Sequence, residues 1–110
     1  CGHIMPILEY IGEVYDAYEA IQMSAGMDIG VVKDRVGDVT TLWGGIMHEH
    51  INGGTIDQIR ADAKSSFSKA GPGGGYIMGS SHSLAVGAKI ENVREIVKCR
   101  DEWGTYPISI

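Results

Sequence analysis

Basic residues are scarce in this sequence, and no part of the chain concentrates them. Nine Lys and Arg residues stand against 14 Asp and Glu residues, which gives a formal net charge of −5 and an isoelectric point near 5.2. A protein that binds nucleic acid or an anionic membrane needs a basic patch to neutralise phosphate groups. Neither kind of partner is therefore expected.

Long apolar runs and secretion signals are also missing. No apolar run approaches the roughly 20 residues that a membrane-spanning helix needs, and the N-terminus lacks the charged and then apolar segments of a signal peptide. We therefore predict a cytoplasmic protein with no membrane partner.

Only two cysteines occur, Cys1 and Cys99, and both are expected to stay reduced. Cys1 opens the chain with no structured segment ahead of it, which is typical of a truncated domain.

The residues that are present predict helices and strands in alternation. The 110 residues are 44% hydrophobic and 21% charged, as expected for one domain. Asp28 and Thr55 are typical helix N-caps, and Gln58 completes a capping box with Thr55. The predicted helices cover about residues 6–15, 28–37, 55–71 and 90–103, the predicted strands cover 18–23, 40–46 and 75–80, and residues 47–54 (MHEHINGG) are predicted to form a polar loop.

This order indicates an α/β fold with a parallel sheet. A strand, a helix and a second strand in succession form a right-handed βαβ unit. Three such strands fit either a small open sheet or one arc of a (β/α)8 barrel. Polar residues follow two of the strands, in HEHINGG and SSHSL, where both architectures place their active sites.

Six short motifs resemble one known family. CG at the N-terminus, AGMD, LWGGI, GPGGGYIMGSSH, ENVREI and WGTYPI occur in this order, and together they are similar to the C-terminal part of the uroporphyrinogen decarboxylase superfamily. That superfamily includes the heme-pathway decarboxylase and the corrinoid-linked, zinc-dependent methyltransferases. The resemblance implies a (β/α)8 barrel of which residues 1–110 form a single partial domain, about three strands and four helices. Family decarboxylases carry a catalytic arginine and aspartate in the N-terminal half, so the chain by itself is expected to be inactive.

The two branches of the family are mixed in this sequence. Cys1-Gly2 resembles the His-x-Cys-Gly motif of the zinc methyltransferases, whereas Ser81-His82-Ser83 resembles the decarboxylases. The methyltransferase resemblance implies zinc held by Cys1, His82 and a histidine before Cys1, with a methyl group passing from a methyl-corrinoid to a thiol. The decarboxylase resemblance implies a tetrapyrrole substrate, no cofactor, and His82 as the donor to a substrate carboxylate. His82 is thus the predicted catalytic, substrate-binding and metal-ligating residue.

Other polar residues have more than one interpretation. Gln22 ends the first strand and is predicted to point into the barrel mouth as a substrate-binding residue. His48, Glu49 and His50 could bind metal, but a solvated loop is the favoured interpretation. A metal-ligand role is not favoured for His3, because the family resemblance implies that the chain turns away into a helix there. The glycines of GPGGG precede a strand, whereas glycines that cradle a phosphate follow one, so a turn is favoured.

An isolated barrel segment has a physical consequence. Helices would cover one face of the three strands, and the other face would lack its barrel partners. An exposed apolar face promotes association. A homo-oligomer is therefore expected, and a non-catalytic, self-associating fragment is the third functional alternative.

Overall fold

The computed structural model describes residues 2–110, so Cys1 lies outside the described residues. Strands and helices alternate along this part of the chain. The strands are β1 (Ala17–Ile21), β2 (Thr41–Ile46) and β3 (Tyr76–Ser80), and the helices are α1 (Leu8–Val14), α2 (Ile29–Val36), α3 (His48–Gly53), α4 (Ile56–Ala70) and α5 (Ile90–Trp103). Two 3₁₀ turns, Met5–Ile7 and Met23–Ala25, precede α1 and follow β1.

The three strands form one parallel sheet in the order β1-β2-β3. In the β2–β3 ladder, Trp43 pairs with Ile77 and Ile46 pairs with Ser80. The parallel α/β arrangement predicted from the sequence is confirmed. Because all three strands run in the same direction, their carboxyl ends lie along one edge of the sheet.

Side-chain caps set the starts of two helices. The Asp28 carboxylate accepts hydrogen bonds from the backbone amides of Gly30 and Val31, at 2.8 and 3.2 Å. Thr55 and Gln58 form the predicted capping box, in which each side chain accepts from the other residue's backbone amide. These caps satisfy amides that have no partner within the helix, and both N-termini lie where the sequence predicts them.

The helices cover only one face of the sheet. Leu42 of β2 packs with Val32 of α2, and Ile46 at the end of β2 packs with Ile59 of α4. On the opposite face, Trp43 and Ile77 lie side by side and remain 42% and 45% exposed. We call the face that carries Trp43 and Ile77 the open face.

Residues 48–53 form helix α3, so the prediction of a polar loop over 47–54 was wrong. Ile51 is the one residue of α3 that is fully buried. With a single core residue, the segment shows no repeating apolar pattern from which a helix could be predicted. Ile51 joins the core between β2, α4 and α5. The helix is held from outside by Asn92 of α5, whose side-chain amide donates to the carbonyl oxygens of His50, Ile51 and Gly54 at 3.0, 3.2 and 3.0 Å.

The glycine run before β3 forms the predicted turn. Gly73, Gly74 and Gly75 all have positive φ angles, between 67° and 83°, a region that residues with a Cβ adopt only at a cost. The ammonium of Lys33 donates to the carbonyl oxygen of Gly74. The turn precedes β3 and therefore lies at the amino-terminal edge of the sheet, opposite to His82.

Replacing Asn92 with alanine tests how α3 is held. The change leaves three carbonyl oxygens without their donor, and we expect it to lower the free energy of unfolding by roughly 2 kcal/mol. Urea denaturation measures the difference. Asp101→Ala, at an exposed position on the same helix, serves as the control and should change stability by less than about 0.5 kcal/mol. Equal effects of the two variants would contradict the assigned role of Asn92.

Candidate functional site

A cleft of about 480 Å³ lies on the open face, next to the carboxyl ends of the strands. It contains both apolar surface and polar side chains. The lining residues are Glu19, Ala20, Trp43, Ser80, His82, Ser83 and Leu84. In parallel α/β proteins this edge of the sheet is the usual place for a ligand site, so the cleft is the candidate functional site.

The wall that β1 contributes has an irregular backbone. The pairing register between β1 and β2 shifts between Tyr18 and Ile21. Ala20, inside this bulge, has a φ of 56°, and it is the one described residue other than glycine with a positive φ. Bulges and strained φ angles concentrate at functional sites, where they redirect neighbouring side chains.

The floor of the cleft depends on a glycine in β3. A Cβ atom built on Gly79 would lie 2.6 Å from Nε1 of Trp43 and 2.9 Å from its Cδ1. The indole therefore lies directly across Gly79, and only a residue without a side chain permits this approach. Trp43 thereby lines the cleft.

His82 lies at the mouth of the cleft and is exposed to solvent. Its ring lies beside that of His48, with centroids 5.1 Å apart and planes inclined by 42°. Ser81, which is buried, joins the two segments: its Oγ accepts from the backbone amide of His48 at 3.1 Å and lies 3.3 Å from His48 Nδ1. The predicted site residue His82 thus has an imidazole neighbour that the sequence did not place beside it.

The second nitrogen of His48 faces a carboxylate. His48 Nε2 lies 3.5 Å from Oε1 of Glu49, and that oxygen accepts a 2.8 Å hydrogen bond from the hydroxyl of Ser24. Burial acts to raise the pKa of Glu49, but the hydrogen bonds from its own backbone amide and from Ser24, together with the charges of His48 and His50, lower it overall. Glu49 is therefore held as a carboxylate beside His48.

His50 points to a different group from His48. Its Nδ1 lies 2.7 Å from Oδ2 of Asp62 in α4, and the same oxygen accepts from the backbone amide of Met47 at 3.1 Å. His48, Glu49 and His50 therefore do not converge on one point. The favoured interpretation of these residues as a solvated loop was wrong for His48 and His50, because both side chains are more than three-quarters buried and have polar contacts in a helix.

Gln22 lies directly after β1, but it is not among the residues that line the cleft. Its Oε1 accepts a hydrogen bond from the backbone amide of Gly2 at 2.9 Å, and His3 Nδ1 lies 3.0 Å from the carbonyl oxygen of Ala25. Gln22 thus fixes the start of the described chain to the carboxyl edge of the sheet. Its role in substrate binding stays a prediction.

The metal prediction for Cys1 falls outside the described residues. Within residues 2–110, no three or more His, Cys, Asp or Glu side chains form a group that could hold a metal ion. Cys99, the other cysteine, is buried in α5, and burial raises the pKa of its thiol. A raised thiol pKa and a buried position make Cys99 a packing residue.

Replacing Gly79 with alanine tests the floor of the cleft. The new methyl group would clash with the Trp43 indole, so we expect Trp43 to move. The two indole N–H signals in a ¹H–¹⁵N correlation spectrum, from Trp43 and Trp103, report this directly, and only that of Trp43 should shift strongly. Gly53→Ala is the control, because a Cβ there meets nothing within 4 Å. An unchanged Trp43 signal in Gly79→Ala would show that the indole does not lie across Gly79.

Comparison with known proteins identifies the relatives of this fold. A methyltransferase from Methanosarcina mazei of known structure superposes with a TM-score of 0.81 at 23% sequence identity, over 96% of this chain and 30% of that chain. This chain therefore spans about 30% of the length of that structure, and the likeness shows a shared fold. It confirms the predicted class, parallel βα units that form part of a barrel-like α/β fold. No curated protein matches the sequence significantly.

None of the helices in residues 2–110 has the length and apolar character to cross a bilayer.

The family itself follows from the sequence match. The family model described as uroporphyrinogen decarboxylase (URO-D) matches residues 1–103, which is nearly the whole chain. The chain therefore belongs to the uroporphyrinogen decarboxylase family.

Proposed function

We propose that this chain forms part of a zinc-dependent methyltransferase that moves a methyl group from a methyl-corrinoid to a thiol. The observation that carries the proposal is the position of His82, at the mouth of the cleft and beside a second imidazole. Imidazole and thiolate are the side chains that zinc prefers. The fold shared with a solved methyltransferase supports the same branch.

The proposed zinc ligands are Cys1, His82 and a histidine that precedes Cys1 in the complete protein. His82 is exposed in the cleft, so its ring is accessible to an ion. Gly2, which follows Cys1 in the sequence, is tied through Gln22 to the carboxyl end of β1, the same edge of the sheet that carries His82. Zinc at this position would lower the pKa of an incoming thiol and hold it as a thiolate.

The other cleft residues fit a small substrate with an apolar part. Trp43 and Leu84 provide apolar walls, and Ser80 and Ser83 are hydroxyl residues that can donate or accept hydrogen bonds.

The proposed methyl donor is a corrinoid, delivered by a corrinoid protein as partner. Because this chain spans about 30% of the related structure, we propose that activity needs the complete barrel and that residues 1–110 alone are inactive. A reduced thiol acceptor is compatible with the predicted cytoplasmic location.

Zinc content and methyl transfer, measured on the complete protein, test this proposal. We expect about one zinc per chain, and transfer of the methyl group from methylcobalamin to a thiol. Cys1→Ser and His82→Ala should each lose most of the metal and the activity, because a catalytic zinc site has only three protein ligands. His3→Ala is the control, because His3 makes its contact with the Ala25 carbonyl oxygen and should keep both. Metal-free protein with full activity would overturn the proposal.

Decarboxylation of a tetrapyrrole is the second candidate. The family model that matches residues 1–103 carries the description uroporphyrinogen decarboxylase, and His82 lines the cleft together with Ser80 and Ser83. An imidazole and two hydroxyl groups are suitable donors to a substrate carboxylate. A decarboxylation assay of the complete protein with uroporphyrinogen tests this function. Turnover by the metal-free protein, lost in His82→Ala, would favour it over methyl transfer.

We also propose that the 110-residue chain self-associates through its open face. Trp43 and Ile77 form exposed apolar surface there, and β1 and β3 are edge strands of the sheet. Sedimentation velocity over a dilution series should show a dimer or larger species that Ile77→Lys shifts toward monomer. Val86→Lys, at an exposed loop position, is the control and should leave association unchanged. A monomer at every concentration would contradict the proposal.

A further inference from the structure

We propose that Ser81 is a positioning residue, whose buried hydroxyl fixes the strand end that carries His82 and so holds that imidazole at the mouth of the cleft. The inference deepens the proposed function and rests on the role given there to His82. It applies to both candidate reactions, because each of them uses His82. Ser81 is not among the residues that line the cleft, so it acts on His82 and not on a ligand.

Ser81 differs from the serines on either side of it in its burial. It is 1% exposed, whereas Ser80 is half-buried and Ser83 is exposed. Residues 82–87, which follow it, are all exposed. Ser81 is therefore the last residue fixed in the protein interior before the segment that begins with His82. A hydroxyl group buried at such a position needs hydrogen-bond partners.

The partners of Ser81 belong to the residues on either side of Met47. Its backbone amide donates to the Ile46 carbonyl oxygen at 2.8 Å, and its Oγ accepts from the His48 backbone amide at 3.1 Å. The His48 amide lies in the first turn of α3, where backbone amides have no partner within the helix. One serine thus continues the β2–β3 ladder and also satisfies the start of α3.

The same hydroxyl contacts the ring that borders His82. Nδ1 of His48 lies 3.3 Å from Ser81 Oγ, and Nε2 lies 3.5 Å from Oε1 of Glu49. The Glu49 oxygen in turn accepts a 2.8 Å hydrogen bond from Ser24. The imidazole of His48 therefore has a polar contact on each side, and its centroid lies 5.1 Å from that of His82.

His82 has few contacts of its own that could fix its position. Its backbone amide donates to Ser80 Oγ at 3.3 Å, and within residues 2–110 its exposed imidazole makes no hydrogen bond. The position of the imidazole then depends on the backbone that precedes it and on the neighbouring His48 ring. Ser81 contacts the one and belongs to the other. A catalytic group that is displaced by about 1 Å can lose a hundredfold in rate, so this anchor matters for either reaction.

Nuclear magnetic resonance of the 110-residue chain tests the anchor without an activity assay. In the wild type, the adjoining rings should give nuclear Overhauser effects between the imidazole protons of His48 and His82. The backbone amide of His82 should be rigid, with an order parameter of about 0.85. In Ser81→Ala we expect the effects between the two rings to disappear and the order parameter to fall below about 0.6.

Two further variants separate the hydroxyl from other effects. Ser83→Ala is the matched control, because Ser83 also adjoins His82 in sequence but is exposed, and both readouts should equal those of the wild type. Ser81→Thr keeps the acceptor oxygen and should retain both readouts, and circular dichroism confirms that each variant is folded. Unchanged readouts in Ser81→Ala would overturn the inference. Equal losses in Ser81→Thr would also overturn it, because the hydroxyl would then not be the cause.

Activity of the complete protein links the anchor to the proposed function. Ser81→Ala should lower kcat/KM by roughly tenfold to a hundredfold, and Ser81→Thr should recover most of it. Ser68→Ala, at an exposed position in α4, is the control and should keep full activity. Full activity in Ser81→Ala would contradict the inference while leaving the role of His82 intact. A complete protein without methyl transfer or decarboxylation would overturn the proposed function, and the resonance measurements would still decide whether Ser81 holds His82.

Discussion

The parallel pairing of β2 with β3 positions Trp43, Ser80 and the segment that carries His82 in the candidate site. The ladder matches Ile46 with Ser80, and the Ser81 amide extends it by one more hydrogen bond to the Ile46 carbonyl oxygen. A slip by one residue would turn each side chain of β3 to the other face of the sheet. Trp43 would then lose the contact with Gly79, and His82 would no longer lie beside His48. Register is therefore the constraint on which the cleft depends.

The helices stabilise that register from one side only. The buried residues of β2 pack against α2 and α4, and Asn92 fixes the short helix α3 at the end of β2 through three carbonyl oxygens. Within residues 2–110, no such layer covers Trp43 and Ile77 on the open face. The cleft and the exposed apolar surface therefore lie on the same face of the sheet. We expect ligand binding and self-association to compete for this face.

Local chemistry in the sequence was sufficient to predict most elements and their starts. The caps made by Asp28 and by the Thr55–Gln58 pair are hydrogen bonds between residues less than four positions apart. Glycines with positive φ mark the turn before β3. Helix α3 could not be predicted, because a six-residue helix with one buried apolar residue has no periodic pattern. It forms through contacts with α5, some forty residues away in the chain.

The site was predictable only in part for the same reason. His82 was predicted as a site residue because it follows a strand, at the edge where parallel sheets carry their ligand sites, and it lines the candidate cleft. Its neighbour His48 depends on the register of two strands and on the start of α3, and neither is encoded near residue 48. The contact of Gln22 with Gly2 also joins distant parts of the chain. A useful signal was the H-E-H sequence directly after a strand, but its spacing alone did not show which histidine faces the cleft.

The proposed ligands have a consequence for the chemistry of a bound thiol. A zinc ion held by one thiolate and neutral imidazoles carries one more unit of positive charge than an ion held by two thiolates. The more positive ion withdraws more charge from an incoming thiol, so it lowers the thiol pKa further. A thiolate of lower basicity is also a weaker nucleophile. In the proposed site, a histidine ligand at position 82 instead of a second thiolate would therefore favour formation of the bound thiolate over its intrinsic reactivity.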